Sequence, residues 1–254
     1  MARAALIHEG IVHACEAAAD AEGTLFTPIL GLLWGVYETL GTEAFRAVRQ
    51  RLLLDYPPTL RCLSAIKVGA KRWRPLEEGE DPPLSTLSHP LCPLLDTLTD
   101  EAFAPFAATA FPIRVVGQKD ERAFLEMRRL DSTGSGPRHT SHRPVHAALI
   151  SSDGSVLFEA RNTNALNKMR HAEVNLLLGW HARTGMPFPA KSHVVVSLKP
   201  CRMCSSLLFE ATKKANEGPI RVHYLEEDPG PHARGTCYET EPDCRGRLTR
   251  LSEF

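Results

Sequence analysis

Two cysteines three residues apart follow a proline at the end of an apolar, valine-rich segment. Cys201 and Cys204 come directly after Pro200, and residues 192–198 have the pattern of a buried strand. A helix that begins here carries both thiols in its first turn and on one face. His171, 30 residues before Cys201, begins another segment of helical composition. The chain thus contains a buried strand and two helices, one of which begins at a cysteine and the other at a histidine. This combination restricts the fold strongly.

His171, Cys201 and Cys204 are the predicted metal ligands, because imidazole and thiolate are good zinc ligands. The dipole of a first helical turn favours anionic thiolates. Three protein ligands leave a fourth position for water, as a catalytic zinc site requires. Glu173 is expected to carry a proton from the attacking water to the leaving group rather than to bind the metal. Zn2+ is therefore the predicted cofactor.

Two other interpretations of the cysteine pair are open. Cys201 and Cys204 could be a redox pair, or they could form half of a structural zinc site whose other half is Cys237 and Cys244. Neither interpretation gives His171 or Glu173 a role. His-x-Glu followed by Pro-Cys-x-x-Cys is the signature of zinc deaminases, so the motif predicts a hydrolase that removes an exocyclic amine from a nucleobase.

Strands and helices alternate in the second half of the chain, which favours an α/β sandwich around one sheet. An Asp-Gly turn at 153–154 indicates a hairpin. The predicted helices are 120–130, 171–183 and 201–216, and the predicted strands are 145–150, 156–160, 192–198 and 220–224.

The first part of the chain differs in its pattern of apolar residues, which favours helices. Apolar periodicity predicts helices over 4–19 and 25–40, a third from Thr42 through Leu53, and a further one over 94–110. A loop rich in proline and acidic residues over 71–93 separates the last of these helices from the others. We therefore predict a mostly α-helical N-terminal domain over 1–113 and an α/β domain over 114–254.

Composition and charge limit the setting of the protein. The seven cysteines are odd in number and irregularly spaced, which argues against a disulfide scaffold and for a reducing compartment. No signal peptide or membrane span is expected, so the predicted location is cytoplasmic. The 30 basic and 30 acidic residues balance, but the basic excess lies in the second half, which is compatible with a polyanionic partner.

The segment from Val194 to Cys204 resembles the strand-and-helix block of the tRNA adenosine deaminases, including Met203 between the cysteines. Arg143-Pro144-Val145 is similar to the entry of that family into its sheet. Over about 115–225 the chain resembles the cytidine deaminase-like superfamily, most of all a small bacterial branch with a helical N-terminal domain. The resemblance implies a cytidine deaminase-like αβα sandwich with a mixed central sheet and both metal helices on one face.

The resemblance also implies substrate-binding residues. Asn162 and Asn164 follow the second strand, where family members place an asparagine against the nucleotide; Asn162 is the preferred choice. The backbone amide of Ala172 is expected to contact the base. His142 and Arg143 end a cationic loop suited to phosphate contacts. Among the aromatic residues, Tyr238 is a better candidate than Trp180 for stacking on a base.

The substrate is open at this point. The first hypothesis is deamination of cytosine to uracil in single-stranded nucleic acid. The alternatives are adenosine-to-inosine deamination in tRNA, a free nucleoside or nucleotide deaminase, and a noncatalytic zinc-containing binding subunit, against which the intact Glu173 argues. The expected partners are single-stranded DNA or RNA and no membrane, with a homo-oligomer as a further option. The segment from Leu225 to Pro231 leaves the pocket floor and the direction of the last strand undetermined.

Overall fold

A computed structural model describes most of the chain. The described residues are 2–17, 27–49, 51–54, 56, 58, 60–69, 72–75, 113–117, 123–127, 145–165, 167–213 and 218–251. Backbone contacts divide the chain into two compact units. The first comprises the described residues within Met1–Leu98 and Leu166–Arg170, and the second those within Thr99–Ala165 and His171–Phe254.

The first unit combines helices with a four-stranded sheet. The strands are β1 (Ala2–His8), β2 (Ile11–Ala17), β3 (Arg51–Leu54) and β4 (Arg72–Pro75), in the order β2-β1-β3-β4. The helices are α1 (Pro28–Leu40), α2 (Ala44–Ala47) and α3 (Leu60–Gly69). Thr27 caps α1 by accepting a hydrogen bond from the backbone N–H of Leu30, as its hydroxyl is suited to do. The helices of the predicted N-terminal domain are thus present in part, alongside strands that were not predicted.

The helix predicted over 4–19 is wrong, because these residues form the antiparallel hairpin of β1 and β2. Glu9 and Gly10 form its two-residue loop, and both have positive φ values, 51° and 77°. Two positive φ values are what a type I′ hairpin turn needs. The alanines favoured a helix by propensity, but Ala4 and Ala5 lie buried on opposite faces of β1.

The helix predicted from Thr42 through Leu53 is also wrong in its second half. A 3-10 turn at Gly41–Glu43 leads into the short α2, and the chain then enters β3. Leu52 and Leu53 are buried as predicted, but as strand residues. The helix predicted over 25–40 is confirmed as α1.

The second unit contains the elements that surround the candidate site. Its strands are β5 (Ile113–Gly117), β6 (Ala123–Met127), β7 (His146–Ile150), β8 (Val156–Arg161), β9 (His193–Leu198), β10 (Arg221–Glu226) and β11 (Leu248–Arg250). Its helices are α4 (Ala172–Thr184), α5 (Arg202–Thr212) and α6 (Cys237–Thr240). From β7 through β10, every predicted strand and helix is confirmed within a few residues.

The helix predicted over 120–130 is wrong, because 123–127 form β6 and pair antiparallel with β5. Pairing with the preceding strand supplies the backbone hydrogen bonds that a helix would otherwise make, and it overrides helix propensity. The helix predicted over 94–110 lies outside the described residues. The domain boundary at 113/114 stays a prediction.

β7 to β11 form a mixed five-stranded sheet in the order β11-β10-β9-β7-β8. β7 pairs antiparallel with β8 and β9, whereas β9, β10 and β11 run parallel, which settles the direction of the last strand. The mixed central sheet of the predicted α/β sandwich is therefore confirmed. α4 packs against β7, β8 and α5. None of the helices in the described part of the chain is long and apolar enough to cross a bilayer.

Candidate active site

Two helices begin at the same point of the second unit. His171 is the N-cap residue of α4, with extended backbone angles, and Cys201 is the N-cap residue of α5. Cys204 lies in the first turn of α5, where its thiol points back past the helix start. The positive ends of two helix dipoles therefore meet at two thiols, which favours their anionic forms.

The three predicted metal ligands converge. The Sγ atoms of Cys201 and Cys204 each lie 3.5 Å from His171 Nδ1, and they lie 3.5 Å from each other. Zinc at its usual bond lengths holds two thiolates about 3.8 Å apart and a thiolate and an imidazole nitrogen about 3.6 Å apart. These residues therefore fit a zinc ion. In the described part of the chain they are the only group of three or more such side chains that could hold a metal.

The two thiols differ in their affinity for a proton. The hydrogen bond between Cys201 and Cys204, together with the neighbouring His171, holds the pKa of the Cys201 thiol well below its usual range. Burial and the Cys201 thiolate raise the pKa of Cys204. A divalent cation bound between them would hold both as thiolates.

Glu173 lies beside this cluster, and its side chain is 4% exposed. Burial, and then the Cys201 thiolate, raise the pKa of Glu173 to about 7, although His171 opposes the shift. A carboxyl group that titrates near neutral pH can both accept and donate a proton during turnover. Its predicted role as the proton carrier is consistent with this placement.

A pocket opens at the cluster and contains three of the predicted substrate-binding residues. Asn162, Asn164 and Ala172 line it together with His171, Glu173 and Cys201. Asn162 Nδ2 donates to Asn164 Oδ1 at 2.9 Å, so the two asparagines act as one hydrogen-bonded pair. Ala172 is the first residue of α4, and its N–H has no acceptor within the helix. The other two predicted residues, His142 and Arg143, lie outside the described residues.

The family comparison agrees with this geometry. Residues 137–249 match the sequence profile of the Bd3614-like deaminases, and the match spans all three metal ligands, Glu173 and the pocket asparagines. Residues 137–249 therefore resemble the cytidine deaminase-like superfamily. The resemblance predicted from the sequence is thereby confirmed.

Solved structures are similar to part of this chain at modest levels. One comes from a study of A-to-I editing by tRNA:A34 deaminases at the wobble position of transfer RNA, with 25% identity over 42% of this chain and 75% of that one, at a TM-score of 0.33. A dCMP deaminase from the cyanophage S-TIM5 is 20% identical over 42% and 79%, at a TM-score of 0.29. The Aspergillus oryzae Rib2 deaminase is 21% identical over 46% and 75%, at a TM-score of 0.35. A comparison with curated protein sequences finds no significant match.

Two polar residues of the pocket were missed from the sequence. Asp228, which follows β10, lines the pocket, and its Oδ1 accepts a hydrogen bond of 2.9 Å from the backbone N–H of Gly230. Lys199, at the end of β9, lines it as well. Its Nζ is 2.6 Å from Glu239 Oε1 and 3.6 Å from Glu227 Oε2. The segment whose effect on the pocket floor was undetermined therefore contributes a carboxylate to it.

A further residue missed from the sequence supports the asparagine loop of the deaminase-like domain. Asn175, fully buried on α4, donates from Nδ2 to the carbonyl oxygen of Arg161 and to Thr163 Oγ1, at 2.8 and 3.0 Å. The helix that carries Glu173 thereby fixes the backbone on both sides of Asn162. The sequence around Asn175 predicts only a helix, so no local signal identifies this role.

The remaining cysteine and aromatic candidates lie elsewhere in the domain. Cys237 and Cys244 are not part of the group that could hold a metal, and they form a hydrogen bond with each other. That hydrogen bond, together with burial, raises the pKa of Cys237. They therefore do not complete a four-cysteine site. Tyr238 is buried and donates its hydroxyl to the carbonyl oxygen of Ile220 at 2.8 Å, so the prediction that it stacks on a base is wrong.

Proposed function

We propose that the protein is a zinc-dependent hydrolytic deaminase that converts cytosine to uracil in single-stranded nucleic acid. The observation that carries the proposal is the buried Glu173 beside His171, Cys201 and Cys204. Glu173, His171 and Cys201 line one pocket. The family match supports deamination as the reaction, since residues 137–249 match a deaminase profile. Zinc, if held by these three side chains, would supply a water molecule activated for attack at neutral pH.

The residues of this chain account for the proton transfers. Glu173, with its pKa near 7, would take a proton from water as the water oxygen bonds to C4 of the base, and pass it to ring nitrogen N3. It would then move the proton of the new hydroxyl to the exocyclic nitrogen, so that the C4–N bond breaks, ammonia leaves and C4 becomes the carbonyl carbon of uracil. The burial of Glu173 excludes bulk water from the proton path. The thiols of Cys201 and Cys204 and the Nδ1 of His171 are the groups that would hold the metal.

Polar and apolar groups of the pocket suit a nucleobase. The N–H of Ala172 can donate to a ring acceptor such as the carbonyl oxygen of cytosine, and the carboxylate of Asp228 can accept from an amino group. Val145 and Leu198 supply apolar surface for the faces of the ring. Together these groups can form hydrogen bonds with the edge of a flat heterocycle and apolar contacts with its faces.

The charge of the pocket favours a base whose phosphates lie outside it. Lys199 is the one cation among the described pocket residues, and it is already paired with Glu239 and Glu227. Burial disfavours its charged form, but the bond to Glu239 outweighs burial and raises the pKa of Lys199. A phosphate is therefore better bound by residues around the pocket, as in a polynucleotide, and the predicted roles of His142 and Arg143 belong to this proposal.

The proposal is tested with the full chain and a panel of substrates. Purified protein of measured zinc content is incubated with single-stranded DNA, single-stranded RNA, tRNA, free cytidine and dCMP, and the nucleosides are then separated by mass. We expect uracil or uridine to form in a single-stranded polymer. Conversion of only the free compounds would overturn the polymer substrate. Inosine in tRNA would favour the adenosine alternative instead.

Glu173→Gln is the matched control, because it keeps the shape of the side chain and removes the proton carrier. It should retain zinc and lose turnover by about 100-fold or more. A zinc-loaded parent protein that converts no substrate of the panel would support the noncatalytic subunit. Turnover retained by Glu173→Gln would refute the proton-transfer role.

A further inference from the structure

An ion pair with a buried guanidinium group lies directly before the metal ligand His171. The side chain of Arg170 is 6% exposed, and its Nε lies 2.7 Å from Glu38 Oε1 on α1. The guanidinium group also lies over the ring of Trp34, with Cζ 5.1 Å from the ring centroid. A buried guanidinium group needs a charged partner, because leaving it unpaired is strongly unfavourable.

Glu38 holds a second residue of the same segment. Asn167 Nδ2 donates to Glu38 Oε1 at 2.5 Å and to the carbonyl oxygen of Trp34 at 3.4 Å. One carboxylate oxygen thus joins both ends of the turn from Asn167 to Arg170. Hydrogen bonds to a charged acceptor are shorter and stronger than those between neutral groups.

The turn is also fixed by its own backbone and by packing. Asn167 Oδ1 accepts from the N–H of Met169, and the carbonyl oxygen of Asn167 accepts from the N–H of Arg170, both at 3.0 Å. Met169 is 1% exposed, and a Cβ added to Gly69 at the end of α3 would lie 2.9 Å from its Sδ. The absence of a side chain at Gly69 therefore provides the space that Met169 occupies.

Residues 167–170 belong to the first compact unit, whereas His171 belongs to the second. Because Arg170 and His171 are consecutive, the backbone position of Arg170 limits where the imidazole can lie. Metal sites tolerate deviations of only about 0.2 Å in ligand distance. The side chain of Glu38 fixes the turn that leads into His171.

We propose that Glu38 is a positioning residue for the metal ligand His171, acting through Asn167 and Arg170. The proposal rests on the zinc assignment made under the proposed function. In this way helix α1 anchors the chain immediately before a ligand. Loss of this anchor should loosen the hold on zinc more than it lowers the stability of the fold.

The test measures zinc transfer to a chromogenic chelator, which does not depend on turnover. Glu38→Gln should transfer zinc about tenfold faster than the parent protein, the effect expected when a group that orients a ligand is lost. Amide hydrogen exchange of the peptide that covers 167–172 should speed up in the same variant. Asn167→Ala provides a second, milder variant that leaves the ion pair in place.

Two control variants separate positioning from general destabilisation. Glu43→Gln removes an exposed ion pair with Arg46 elsewhere in the first unit and should leave zinc transfer unchanged. Val12→Ala trims a buried cluster of the N-terminal sheet and should lower the melting temperature without speeding zinc transfer. If zinc transfer follows the melting temperature in every variant, the residue has only a structural role and the proposal is overturned.

A double variant and a ligand variant complete the test. If Glu38 acts through Arg170, then Glu38→Gln should have little further effect in an Arg170→Gln background. His171→Ala should lose zinc outright, and zinc retained by that variant would refute the metal assignment itself. If His171→Ala loses zinc while Glu38→Gln and Asn167→Ala match the parent in zinc transfer and exchange, this proposal alone fails.

Discussion

The side-chain amide of Asn175 donates to the backbone carbonyl oxygen of Arg161 at 2.8 Å, which joins helix α4 to the end of strand β8. The same Nδ2 reaches Thr163 Oγ1 at 3.0 Å. Because Asn162 lies between these two acceptors, the amide of Asn175 fixes the loop that presents the pocket asparagines. Helix α4 therefore carries Glu173 and, two residues further on, the asparagine that fixes this loop.

Asn175→Ala should weaken substrate binding while zinc is retained. The variant loses two buried hydrogen bonds and should lower the free energy of unfolding by about 1–3 kcal/mol. The asparagine loop should loosen, so KM should rise more than kcat falls. Chemical denaturation and steady-state kinetics measure the two effects. Thr163→Ser keeps the hydroxyl acceptor and is the matched control; a rise in KM as large in this variant would argue against the role of the amide.

The metal site could be predicted from the sequence because its determinants are local. Pro200 and the i, i+3 spacing place Cys201 at the start of a helix and Cys204 in its first turn. His171 and Glu173, two residues apart, likewise lie at the start and in the first turn of α4. Short-range geometry fixes these positions without knowledge of the sheet.

The rest of the site depends on contacts between distant segments. Asp228 reaches the pocket only because β10 pairs in parallel with β9 and ends at the same edge. The link from Glu38 to Arg170 spans 132 positions, and no sequence pattern marks either residue. The hairpin of β1 and β2 was missed for a different reason: its alanines favour helix locally, whereas the Glu9-Gly10 turn and burial on both faces decide the outcome.

The cysteines of the deaminase-like domain should divide into two classes by zinc content. Cys201→Ala and Cys204→Ala should each lose bound zinc, because each removes one of three protein ligands. Cys237→Ala, which removes an equally buried thiol outside the cluster, should keep the parent stoichiometry. Metal analysis of purified protein makes the comparison. Loss of zinc from Cys237→Ala would instead support a structural site that includes Cys237 and Cys244.

Asp228→Asn should impair turnover without affecting zinc. The amide oxygen can still accept the hydrogen bond from Gly230, but the negative charge that would face an amino group is lost. A hydrogen bond to a charged group contributes about 1.5–3 kcal/mol, so kcat/KM should fall about 10- to 100-fold. Asp243→Asn removes an exposed carboxylate outside the pocket and is the matched control. Unchanged kcat/KM in Asp228→Asn would exclude this carboxylate from base recognition.

The stability of the protein should fall on mild acidification because of two stacked histidines. His193 Nδ1 lies 3.0 Å from His223 Nε2, and burial, then His193 and Arg221, lower the pKa of His223 to about 4. In the unfolded chain its pKa is about 6.5. Between these values the unfolded state binds more protons, so the free energy of unfolding decreases as pH falls through this window, by at most about 3 kcal/mol. His223→Gln should reduce that decrease in urea unfolding at pH 7 and pH 5, whereas the exposed His232→Gln should not. Equal pH dependence in His223→Gln and the parent protein would show that the buried pair does not control acid stability.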